Sequence, residues 1–120
     1  MENLNVSTLK SSQQMLKDNE ILIIKFTADW CGPCKGIKPL CDKYIANLPN
    51  NIIFQEIDVD DSIELYTFLK AKKMVNGIPA ILAYFGGDKD DGNFFIPDDS
   101  VLGGDKKKVE EFFERMISKS

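Results

Sequence analysis

The stretch Trp30-Cys31-Gly32-Pro33-Cys34-Lys35 places two cysteines three positions apart. Thiols at that spacing can open and close a disulfide, so the stretch suits reversible thiol–disulfide exchange. An apolar run precedes it and a helical pattern follows, which puts Cys31 at a helix N-terminus. Unpaired backbone N–H groups and the helix dipole favour negative charge there. The thiolate is the attacking species, so the position activates Cys31 by drawing its pKa below the roughly 8.5 of a free cysteine. Cys34 lies one turn on, within a small adjustment of disulfide distance. Gly32 permits the tight turn into the helix. Pro33 fits the first turn, where its missing N–H costs little. The expected roles follow from position: Cys31, the more exposed thiol, attacks a substrate disulfide, and Cys34, deeper in the helix, resolves the mixed disulfide. A CxxC can also be half of a zinc site, but the chain offers only Cys41 beyond the pair and no histidine, too few ligands for a tetrahedral centre. A purely structural staple is a poor use of so short a loop.

The elements that must hold this pair can be read from periodicity. Ile21-Leu22-Ile23-Ile24-Lys25-Phe26 is nearly continuous in apolar residues, the pattern of a central parallel strand covered on both faces. Lys25 is the anomaly in it. After the cysteines, Ile37, Leu40, Cys41, Tyr44, Ile45 and Leu48 recur with helical spacing, and Pro39 should kink that helix. Upstream, Leu4 to Val6 reads as a short strand, followed by a polar helix capped by Ser7 or Thr8. Downstream come a strand from Ile52 to Val59, a helix capped by Ser62 with Ile63, Tyr66 and Leu69 on one face, and a strand from Ala80 to Phe85. An acidic loop, Asp88 to Asn93, leads to an expected strand at Phe94-Phe95-Ile96. Pro97 marks that strand as an edge. Asp105 caps a closing helix with Val109, Phe112, Phe113, Met116 and Ile117 on one face. Strands alternating with helices, then two strands in succession, predict an α/β sandwich on a mixed sheet, residues 1–120 forming one domain.

Composition narrows the classes of function. Lys and Arg number 15 against 19 Asp and Glu, a net charge of −4. An acidic chain with scattered lysines does not suit nucleic acid, which needs a clustered basic face. No run of about 18 apolar residues suits a membrane span. Met1-Glu2-Asn3-Leu4-Asn5 has neither a basic nor an apolar leader segment, so the expectation is a reducing, cytoplasmic location. There a CxxC is catalytic or metal-binding more often than structural.

The hexapeptide Trp30 to Lys35 after an apolar strand resembles the active site of the thioredoxin family. Gly77-Ile78-Pro79 resembles that family's cis-proline loop, Pro39 its helix kink, and Phe54 to Asp60 its third strand; Gly103 before the last helix also matches. The resemblance implies a thioredoxin fold, with a mixed five-stranded sheet flanked by four helices and a cis bond at Ile78–Pro79 beside the cysteines. It implies a groove for extended peptide formed around Trp30, Gly32, Pro33, Gly77, Ile78, Pro79 and Gly103. The backbone of Ile78 would pair with the substrate. Trp30 taken alone also fits a core position; next to the cysteines it reads as a surface platform. Further implications are protein-disulfide reduction without a bound cofactor, and electrons from NADPH through a flavoprotein, thioredoxin reductase. The partners would be that reductase and disulfide-containing proteins, with the chain acting as a monomer. Two other readings stand beside this one: an oxidase or isomerase domain, and a binding or assembly module in which the cysteines are incidental.

The chain departs from the family at three places. Where the family commonly buries an aspartate before the active site, this sequence has Lys25. Lys25 either reaches solvent or tunes the proton handling of the cysteines, and Glu56 on the neighbouring strand has the parity to pair with it. A cation near Cys34 favours thiolates and makes the pair more oxidising. Cys41, on the apolar helix face, reads as a core thiol. The loop from Asp88 to Asn93 is longer than usual and reads as solvated. The acidic corner Asp58, Asp60 and Asp61 borders the cysteines in the family, where it would tune Cys31 or select partners by charge.

Overall fold

In a computed structural model, which describes residues 5–87 and 91–120, four helices flank a four-stranded sheet. The elements run α1 (Val6–Gln14), β1 (Ile21–Thr27), α2 (Gly32–Ile45), β2 (Ile52–Asp58), α3 (Ile63–Ala71), β3 (Ala80–Phe85), a 3-10 turn (Asp91–Asn93), β4 (Asp99–Leu102) and α4 (Lys106–Lys119). The sheet order is β2-β1-β3-β4. β1 runs parallel to β2 and antiparallel to β3, and β3 runs antiparallel to β4. β1 therefore lies inside a mixed sheet, and Ile21 to Phe26 are all buried. That is the environment its continuous apolar run demands.

Alternation along β1 and β3 divides the core in two. Leu22, Ile24, Phe26, Ala80, Leu82 and Tyr84 pack with Leu9 of α1 and with Leu65 and Leu69 of α3. Ile21, Ile23, Ile81 and Ala83 pack with Ile37 and Cys41 of α2 and with Val109, Phe112, Phe113 and Met116 of α4.

Several sequence expectations are corrected. The sheet has four strands among the described residues, not five. Of the expected first strand, Leu4 lies outside the described residues, while Asn5 and Val6 are the cap and first residue of α1. The cap is Asn5, not Ser7 or Thr8: its side chain accepts the Thr8 N–H at 2.9 Å, and its own N–H donates to Thr8 Oγ1 at 2.7 Å. This reciprocal pair satisfies donors that a strand would have left to a neighbour. Phe94-Phe95-Ile96 is a turn, and the strand begins later, at Asp99. The Phe94 and Phe95 carbonyls accept bonds from Gln13 Nε2 (2.5 Å) and the Tyr84 hydroxyl (3.0 Å). Their rings pack on Phe68 of α3, with centroids 6.1 and 5.7 Å away. Side-chain partners and aromatic packing thus replace a ladder. Finally, α3 turns Leu65 and Leu69 inward and leaves Ile63 exposed. Ser62 occupies its N-cap position, but its side chain makes no cap bond. Residues 88–90 of the acidic loop lie outside the described residues.

Candidate active site

β1 ends at Thr27, and the chain reaches Cys31 across a short turn in which the Cys31 N–H donates to the Ala28 carbonyl at 3.1 Å. Cys31 is the N-cap of α2 in extended conformation (φ −89°, ψ 109°), and its Sγ accepts the Cys34 N–H at 3.2 Å. A sulfur therefore takes the place of the capping oxygen and meets one of the helix's unpaired donors, an arrangement that favours the thiolate. Cys31 and Cys34 form a disulfide with their Cα atoms 5.3 Å apart. The expected contrast in exposure is narrow, because Cys31 is 4% exposed and Cys34 2%. Access to the pair comes instead from its surroundings. Gly32 and Pro33 are exposed, and a side chain at Gly32 would meet nothing within 4 Å.

Two loops from distant parts of the chain close around the pair. Ile78–Pro79 is cis, and Ile78 packs against the cluster that contains Cys31 and Cys34. Pro79 is buried, with Gly77 half-buried ahead of it in the same loop. The Gly103 N–H donates to the Pro79 carbonyl at 2.8 Å. Gly103 has φ +97°, a conformation that favours glycine. Gly104 then lies against the cysteine loop, where an added Cβ would come within 3.1 Å of the Pro33 Cβ.

Trp30 is 67% exposed, the surface platform rather than the core. Its indole N–H donates to Asp60 Oδ2 at 2.9 Å. The Asp60 N–H is held in turn by Asp58 Oδ1 at 2.8 Å, and the Val59 N–H by the Thr27 carbonyl at 2.9 Å. The acidic corner after β2 is thereby tied to the residue before Cys31. The sequence showed the corner, but only pairing of the strand ends reveals which carboxylate meets the indole. The Gly104–Pro33 approach carried no sequence signal beyond the doubled glycine.

Lys25 is 1% exposed. It is the parallel register partner of Glu56, as parity required. The anticipated ion pair does not form, however, and Lys25 makes no hydrogen bond or ion pair among the described residues. Glu56 is only half-buried and keeps access to water, which weakens the pull between them. Cys41 is a free, fully buried thiol. Burial pushes its pKa up, and the nearby Lys25 charge opposes that rise. No group of three or more His, Cys, Asp or Glu among the described residues is arranged to hold a metal, and no helix among them is long and apolar enough to cross a membrane.

A dithiol/disulfide couple at a helix N-cap, in an α/β sandwich with a cis-proline loop beside it, defines a thiol–disulfide oxidoreductase. Comparison with known proteins agrees. A profile of the thioredoxin family matches residues 3–97. Thioredoxin of Gallus gallus is 34% identical over 102 residues, covering 82% of this chain and 81% of that one. Thioredoxin of Coprinus comatus is 33% identical over 87 residues, covering 72% and 78%. The crystal structure of Fasciola hepatica thioredoxin superposes with a TM-score of 0.67 at 26% identity, covering 97% and 99%. The chain belongs to the thioredoxin family and is a protein-disulfide reductase working through Cys31 and Cys34.

Proposed function

We propose that Cys31 is the nucleophile and Cys34 the resolving thiol, and that the pair is kept reduced by NADPH through a flavoprotein thioredoxin reductase. The observation that carries the assignment is the Cys34 N–H directed at Cys31 Sγ on the N-cap of α2. The Cys31 thiolate attacks one sulfur of a substrate disulfide, forming a mixed disulfide and releasing the other sulfur as a thiolate. Cys34 then attacks Cys31, closes the intramolecular disulfide and releases the second substrate thiol. Two electrons pass to the substrate in each cycle. An extended substrate segment lies over the exposed Gly32 and Pro33 and pairs with the Ile78 backbone. Trp30, held by Asp60, and the Gly77 and Gly103 loops form its walls, and Pro79 shapes the floor. The chain acts as a single-domain monomer on disulfide-bearing proteins, in a reducing compartment such as the cytoplasm, and needs no bound cofactor.

A coupled assay tests this reading. With NADPH, a thioredoxin reductase and a protein disulfide, the wild type turns over and Cys31→Ser does not. Cys34→Ser stalls as a mixed disulfide with its substrates. Turnover that survives Cys31→Ser, or an inability of Cys34→Ser to capture any substrate, overturns the assignment.

A further inference from the structure

Charge is unevenly divided around the disulfide. On the Trp30 side stand its chain neighbour Asp29 and the corner Asp58, Asp60 and Asp61, whose Asp60 holds the indole. On the other side the cysteine loop meets Gly104 at Pro33. Two residues later α4 begins with Lys106, Lys107 and Lys108, all exposed. None of the three forms an ion pair among the described residues. Asp105 caps the helix, but no acid follows in its first turn. Lysines there oppose the helix dipole instead of complementing it, so helix formation does not account for them. The chain as a whole carries a net charge of −4, and this cationic end of α4 is a local departure from it.

Beyond the Pro33–Gly104 contact, α2 and α4 leave a cleft of about 460 Å³ between them. Gly36, Pro39 and Leu40 of α2 form one wall, and Lys106, Lys107 and Glu110 of α4 form the other. A side chain at Gly36 would meet nothing within 4 Å, so the end of the cleft next to the cysteine loop is open. Gly36 and Pro39 follow Cys31 by five and eight residues, which is about 7.5 and 12 Å along the helix axis. An extended polypeptide covers that distance in about two to four residues. The cleft is therefore continuous with the surface over which a substrate cysteine must be brought to Cys31.

We propose that the α2–α4 cleft is a docking site for the acidic flank of a disulfide-bearing polypeptide, one with an Asp or Glu about two to four residues from the attacked cysteine on the side that runs away from Trp30. The inference rests on Cys31 as the nucleophile and deepens that reading by naming the substrate class. The substrate carboxylate meets Lys106 and Lys107, and the apolar part of the segment covers Pro39 and Leu40. The acidic corner at Asp58, Asp60 and Asp61 repels the same acid placed on the Trp30 side, so the two ends of the site discriminate in opposite senses. Glu110 opposes the two lysines within the cleft and limits the preference.

The test uses peptides with a single cysteine held in a disulfide with thionitrobenzoate. One carries Asp on the N-terminal side of the cysteine and Asn on the other, one the reverse, and a third carries Asn on both sides. The Cys31 thiolate of the reduced, full-length chain attacks the peptide sulfur; the Cys31–peptide disulfide forms as the old bond breaks, and coloured thionitrobenzoate leaves as a thiolate. Wild type is expected to attack one of the two Asp peptides about fivefold faster than the Asn peptide, the scale of one or two exposed ion pairs, and to lose that preference in high salt. Lys106→Gln combined with Lys107→Gln abolishes the preference, and Glu110→Gln enlarges it. Lys119→Gln, at the far end of α4, retains it. Equal rates for the three peptides in wild type, equal acceleration of both Asp peptides, or a preference that survives the double variant overturns the proposal. Release as fast in Cys31→Ser as in wild type defeats the reading of Cys31 and the proposal with it, an outcome distinct from any change in peptide preference.

Discussion

The two faces of the sheet are cut from the same strands and bury different chemistry. Toward α1 and α3, β1 contributes Leu22, Ile24 and Phe26, and the turn at Phe94 and Phe95 closes over Phe68. Toward α2 and α4 it contributes Ile21, Ile23 and Lys25, under a helix that also carries the redox pair and a buried thiol. The first face also packs against Cys31 and Cys34, and Gln13 Nε2 and the Tyr84 hydroxyl tie its border to the Phe94 and Phe95 carbonyls. The second accepts a buried lysine with no ion pair among the described residues and a free buried thiol, Cys41. A single strand therefore gives the two faces different chemistry simply by alternating.

The sharpest way to break this comparison is to exchange the characters of neighbouring residues. Ile24→Lys, which buries a cation on the α1/α3 face, is expected to cost on the order of 5 kcal/mol and leave the chain unfolded at equilibrium. Lys25→Met, one residue on, is expected to raise the urea midpoint. A fall in that midpoint shows that Lys25 contributes to stability and removes the contrast. Next in size, Phe112→Ala on α4 opens a cavity where exposure is zero, and about 3–5 kcal/mol should be lost in denaturant unfolding. On the opposite face, Tyr84→Phe removes the donor to the Phe95 carbonyl. It should cost about 1–2 kcal/mol and leave glutathione equilibration untouched; an altered redox equilibrium would show that the cluster Tyr84 shares with Cys31 and Cys34 couples the turn to the disulfide.

The smallest expected effect is electrostatic. The Arg115 guanidinium, bonded to Asp99 at 2.9 and 3.0 Å, holds that carboxyl below the usual carboxylate range. A depressed folded-state pKa contributes stability above the unfolded value of about 3.9 and loses it as pH falls below that toward the folded value. Arg115 is 46% exposed at its side chain, so solvent screening limits the pair to no more than about 1 kcal/mol. Arg115→Ala should lower stability at neutral pH by that amount and converge with wild type in strong acid. Equal stabilities at neutral pH would show that the pair contributes nothing.

Regular elements were legible where one periodicity ran without interruption. β3 spans Ala80–Phe85 as expected, and α4 is capped by Asp105, whose carboxylate accepts the Lys107 N–H at 3.0 Å. Legibility failed where side chains took over backbone bonds. Asn5 with Thr8 turned an expected strand end into a helix cap. Gln13 and Tyr84 held as a turn two phenylalanines whose local preference is extended. Ile63 was assigned to the wrong face because a helix of only nine residues leaves several apolar stripes equally regular.

The sequence by itself determined the identity of the chemistry at Cys31 and Cys34, since two thiols at this spacing before a helix have few other uses. It also marked Lys25 as foreign to its strand. It did not determine that Lys25 would be buried without an ion pair to Glu56, that Asp60 would hold Trp30, or that Gly104 would lie against Pro33. Each of these depends on how far apart two elements lie and which way they face. That is decided by packing across the sheet and not by any local preference of the chain.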